Sequence, residues 1–73
     1  MEKYEVTKSG LIRNTSNGVI RSHQYFLERE EQGNELPVRL HQFLAAHGQE
    51  LQWFESEEDE QYAIGNERYE YQR

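Results

Sequence analysis

The chain contains no cysteine and only one proline in 73 residues. Without cysteine, neither disulfides nor thiolate metal sites reinforce the fold, so stability comes from packing and hydrogen bonding, with association as a further staple for a chain this short. Long apolar runs are absent too. No segment approaches the roughly 20 apolar residues of a membrane-spanning helix, and Met1-Glu2-Lys3-Tyr4-Glu5 is charged with no apolar stretch behind it. Neither a membrane span nor a secretory leader is expected, and the expected location is cytoplasmic, whether in the source cell or in a host. Asn14-Thr15-Ser16 fits the glycosylation pattern, which has meaning only in a secreted chain.

Catalytic signatures are equally scarce. There is no Gly-x-Ser-x-Gly and no phosphate-cradling glycine loop, and the neighbours Ser22 and His23 do not themselves set up an attack geometry. Carboxylates are plentiful, but a catalytic pair needs a pocket that separates its pKa values, which an exposed charged run does not offer. His41 and His47 lie about 240° apart around a helix, and a pair formed with His23 falls short of a four-ligand zinc site. Residues 55–60 lack the alternating oxygens and central glycine of a calcium loop. No catalytic residue, metal or cofactor is expected, and the chain reads as a non-enzyme.

What the chain does have is a localised charge. Its net charge is −6; residues 1–49 hold six acids and six bases, whereas residues 50–73 hold eight acids against Arg68 and Arg73. Five of those acids form the run Glu55, Glu57, Glu58, Asp59 and Glu60, flanked by Trp53, Phe54, Tyr62, Tyr69 and Tyr71. Such a surface repels nucleic acid and suits a basic partner.

Length argues for one domain spanning 1–73, with room for a thin core only. Leu, Ile, Val and Phe make up fifteen of the 73 residues, near the roughly 20% below which a highly charged chain is disordered. Tyrosine and tryptophan add apolar area and tip the balance towards folding.

Local patterns predict an α+β fold. Leu11-Ile12-Arg13 and Val19-Ile20-Arg21 flank a turn containing Asn17-Gly18, a hairpin in which like residues would face each other, and Tyr4 and Val6 begin an earlier strand. Residues 22–33 fit two readings. Ser22 and Gly33 would bound a helix, but Glu28, Glu30 and Glu31 would lie at its unfavourable C-terminal end, so a strand continuing to about Glu28 is preferred. A helix is expected over 37–47, with Pro37 in its first turn, Gly48 just past its end, and Leu40, Phe43, Leu44 and His47 on its buried stripe. The rest reads as a C-terminal meander of strands at 51–55, 61–64 and 67–71, turning at Gly65-Asn66, with the acidic run as a loop. A capping-box-like start at Ser56 and Asp59 supports a rival helix there. The expected architecture is therefore an antiparallel sheet of four to six strands with one helix across a face.

Function follows only as an expectation. An acidic, aromatic-edged patch formed by Trp53, Phe54, Glu55, Glu57, Glu58, Asp59, Glu60, Tyr62 and Tyr69 suits an adaptor or inhibitor of a basic protein, including a nucleic-acid-binding one. Small acidic inhibitors encoded by phages or mobile elements share this composition. The alternative is a structural or assembly subunit that forms a homodimer through its aromatics, with the acids serving solubility.

Overall fold

The computed structural model describes residues 3–71, with side chains through Tyr69. Met1, Glu2, Arg73 and the side chains of Glu70 and Tyr71, which enter the sequence arguments above, lie outside the described part. Three short strands, β1 (Tyr4–Val6), β2 (Ile12–Asn14) and β3 (Ile20–Arg21), form an antiparallel sheet in that order. Three helices follow, α1 (His23–Glu31), α2 (Val38–His47) and α3 (Glu57–Tyr71), with a 3-10 turn at Gly48–Glu50 prolonging α2. The class is α+β, but among the described residues the sheet has three strands rather than four to six and there are three helices rather than one: helix replaces the expected strands at 61–64 and 67–71 and the extension of the third strand to about Glu28.

The hairpin forms where Asn17-Gly18 predicts. Gly18 takes φ of +75°, its N–H donates to the Asn14 carbonyl at 2.7 Å, and the Asn14 and Asn17 side chains accept from the Ser16 and Val19 amides at 2.9 Å. Its register differs from the like-with-like expectation, since Ile12 pairs with Arg21 and Arg13 with Ile20. Directly paired residues share a face, so this one-residue offset sends Ile12 and Ile20 to opposite sides of the sheet. Both sides are covered. Ile12 packs with Leu36, Leu40 and Leu44 on the α2 side, whereas Leu11 and Ile20 pack with Ile64 of α3 on the other. A thin-cored chain thereby builds two small clusters on a narrow sheet and buries the neighbours Leu11 and Ile12 to 0% and 1% exposure.

Within residues 22–33 the chain forms the helix α1, His23–Glu31, contrary to the strand preference. The Ser22 hydroxyl accepts the Tyr25 amide at 3.1 Å, a regular N-cap, and Phe26 packs on the α2-side cluster. A cap contributes about 1 kcal/mol, whereas each acid near an exposed C-terminus costs a few tenths to 1 kcal/mol. Glu30 also pairs with His41 of α2 at 2.7 Å. The cap, the packing of Phe26 and the Glu30–His41 contact together offset the dipole cost of the three acids.

The α2 stripe is as expected, with Leu40 and Leu44 buried and Phe43 and His47 half-buried. Its ends differ slightly. Pro37 is the N-cap rather than the first helical residue, and Gly48, at φ −54°, continues the chain into the 3-10 turn instead of reversing it.

The C-terminal meander is the larger correction. Residues 51–56 are irregular, and their backbone bonds go elsewhere than to a strand. The Gln52 amide donates to the Gly10 carbonyl at 3.0 Å. The Gln24 side chain accepts from the Phe54 amide at 2.7 Å and donates to its carbonyl at 3.1 Å, standing in for a neighbouring strand. Residues 57–71 are one helix. Its start is capped by Ser56, whose hydroxyl accepts the Asp59 amide at 3.1 Å, and its inward positions are Glu60, Ala63, Ile64 and Glu67, spaced by three and four residues.

Two of those inward residues are acids, and each has a partner. Glu67 is only 3% exposed and accepts the Ser9 amide at 2.8 Å. Glu60 accepts the Ser22 hydroxyl at 2.6 Å. Ser22, fully buried, therefore caps α1 and fastens α3 with one oxygen. Replacing Ser22 by Ala is expected to destabilise by about 1–3 kcal/mol, the lost cap plus a partly buried acceptor without its donor. A urea midpoint unchanged from wild type would show that this hydroxyl fastens nothing.

Candidate functional site

Four of the five acids of the run lie in the first turn of α3 rather than in a loop, and Glu55 lies on the linker before it. Glu57, Glu58, Asp59 and Glu60 occupy that turn, where the exposed N–H groups and the helix dipole favour negative charge. This gives the cluster a local electrostatic reason to exist. It does not account for the exposed aromatics around it.

The linker and α3 together place those aromatics. On the extended linker, Trp53 and Phe54 point different ways: Phe54 packs against the cluster of Leu11, Ile20 and Ile64, and Trp53 stays 59% exposed. On α3 the inward stripe of Glu60, Ile64 and Glu67 leaves Glu58, Tyr62 and Tyr69 on the opposite side, because residues four and seven apart share a face. Tyr62 is 73% and Tyr69 66% exposed. Exposure on this scale next to a core short of apolar residues is the feature that marks the site.

A shallow groove of about 440 Å³ runs between linker and helix, and Trp53, Phe54, Glu55, Asp59, Tyr62 and Asn66 line it. Five of the nine expected site residues thus meet at one concavity. Glu57 and Glu58 stand exposed on the adjoining turn, and Tyr69 lies two turns along from Tyr62. Glu60 is different, because its carboxylate faces inward to Ser22. Among the described residues Glu55, Glu57, Glu58 and Asp59 have no ion pair, so four carboxylates remain available at the surface.

No known family, characterised protein or solved structure matches the chain. The site therefore rests on its own geometry. Among the described residues no group of three or more His, Asp or Glu side chains is placed to hold a metal ion, and no helix is long and apolar enough to cross a membrane. His41 and His47 are each engaged with a glutamate, Glu30 at 2.7 Å and Glu50 at 2.5 Å.

The other side of the molecule carries a second concavity. More enclosed and about 380 Å³ in volume, it lies on the α2 side of the sheet, with Arg21, Tyr25 and Arg29 on its wall. Their four-residue spacing was visible, but the balanced charge of the N-terminal part drew no attention to it.

Proposed function

We propose that this chain is a non-enzymatic binding protein that docks on a basic protein surface as an adaptor or inhibitor, using the outer side of α3 and the linker before it. The observation that carries this reading is the grouping of Trp53, Tyr62 and Tyr69, each more than half exposed, around four carboxylates that have no ion pair among the described residues. Aromatics supply the desolvated anchors of an interface, and charge steers the encounter and fixes its orientation. A basic partner, including one that itself binds nucleic acid, has the complementary potential; the same acids repel nucleic acid directly.

Self-association through the same aromatics is the rival. A two-fold interface there would oppose each copy's acids to its partner's, which disfavours it at low salt. Reversing Glu55, Glu58 and Asp59 to Lys separates the readings, with Glu60 left intact because it is bonded to Ser22. Under the proposal, the triple variant stays folded but no longer captures the wild-type partner from native lysate, and wild-type capture weakens steeply as salt shortens the screening length. Capture that survives both changes would reduce the acids to a solvated helix start. A concentration-dependent dimer in sedimentation that strengthens with salt would favour self-association instead.

A further inference from the structure

We infer that the groove walled by Arg21, Tyr25 and Arg29 is a binding site for a small organic phosphate, on the sheet face away from the acidic helix. The groove is built by the turn from β3 into α1. Arg21 ends the strand, Ser22 caps the helix, and Tyr25 and Arg29 follow one turn apart on a shared helix face. Both guanidinium groups lie over the Tyr25 ring, with their central carbons 5.3 Å and 6.0 Å from its centroid, so cation–π attraction restrains both at one ring. Arg21 is further fixed by donating to the Ile20 carbonyl at 2.8 Å.

The chain has fourteen acids for eight bases, yet among the described residues neither Arg21 nor Arg29 has a carboxylate within ion-pair distance. Two more donors stand at the same groove. Asn14 and Asn17 line it, and their side-chain oxygens are already taken by the Ser16 and Val19 amides, which leaves their NH₂ groups to donate. Two guanidinium forks and two amide donors exceed what one carboxylate accepts; they match the three terminal oxygens of a phosphate monoester, dianionic near neutral pH.

The remaining walls define the rest of the ligand. Ile12, Leu36 and Leu40 give an apolar floor, and among the described residues Glu35 is the one carboxylate lining the groove, able to accept from a ligand hydroxyl or amine. A volume of about 380 Å³ lies within the range of small-molecule sites. The occupant is therefore an organic phosphate with an apolar or flat moiety, about the size of a mononucleotide.

The test is titration of the full-length, isotopically labelled protein with AMP and with phenyl phosphate, followed by NMR through backbone amides and arginine Nε–H signals. Adenosine and phenol serve as the unphosphorylated counterparts. The expected result is saturable shifts confined to Arg21, Tyr25, Arg29 and their groove neighbours, weaker by roughly tenfold or more for the unphosphorylated partners and in R21Q and R29Q. Because the wild-type shifts locate the site by themselves, the inference stays testable even if a variant unfolds. It is overturned if neither phosphate saturates below about 10 mM, if adenosine and phenol bind as well as their phosphates, or if the shifts fall on α3 instead.

Discussion

Gly10→Ala is expected to destabilise the protein by about 2–5 kcal/mol, enough to lower Tm by on the order of 10 to 30 °C. Two costs combine at this position. Gly10 has φ of +78°, and a Cβ there would lie 2.7 Å from both the Cβ and the backbone nitrogen of Gln52. The obstacle is main chain, which cannot swing aside as the tip of a side chain can. The same contact carries the Gln52 amide bond to the Gly10 carbonyl, so relieving the clash pulls the linker off the β1–β2 turn. Trp53 and Phe54 ride on that linker, and the damage extends from the core to the proposed binding side. Gly18→Ala is the matched control: φ is +75° and nothing lies within 4 Å of the added carbon, so only the conformational cost of about 1–2 kcal/mol applies. Thermal melts of the two variants measure the difference. Equal losses would mean that the close approach to Gln52 contributes nothing.

That contact also shows why the sequence disclosed some elements and concealed others. The hairpin and α2 were legible because their determinants are local: Asn17-Gly18 makes the turn, and Leu40, Phe43 and Leu44 repeat at helical spacing. The start of α3 was legible as the rival reading at Ser56 and Asp59, but its course was obscured because its inward stripe contains Glu60 and Glu67, where apolar periodicity is interrupted by charges. Their partners are Ser22 and Ser9, 38 and 58 residues away in sequence, and no local pattern reveals such bonds. The linker deceived in the opposite way. Leu51-Gln52-Trp53-Phe54-Glu55 reads as a strand from its aromatic content, but the groups that satisfy its backbone are a turn carbonyl and the Gln24 amide. The candidate site was largely legible because Trp53, Phe54, Glu55, Asp59 and Tyr62 are near neighbours in the chain, and a strand-loop-strand or a linker-helix brings them together alike. The inward turn of Glu60 was not, since it depends on where α3 docks.

Leu40→Ala is expected to cost about 3–5 kcal/mol, against a total of roughly 4–11 kcal/mol for a 73-residue chain, and so to leave a substantial unfolded population at 37 °C. Helical periodicity alone assigns that cost equally to Phe43, whose ring is the largest on the α2 stripe. The structure redistributes it. Leu40 is 2% exposed and packs in the cluster of Ile12, Leu36 and Leu44, whereas Phe43 is half-buried at the margin, with Tyr4 at 5.8 Å and His47 at 4.5 Å between ring centroids. A margin site collapses and admits water when truncated, so Phe43→Ala loses transfer energy without leaving a closed cavity and is expected to cost about 1–3 kcal/mol. Urea titrations of both variants give the comparison directly through the midpoint at constant slope. A larger loss for Phe43 than for Leu40 would place the centre of this cluster under the β1 edge rather than under β2.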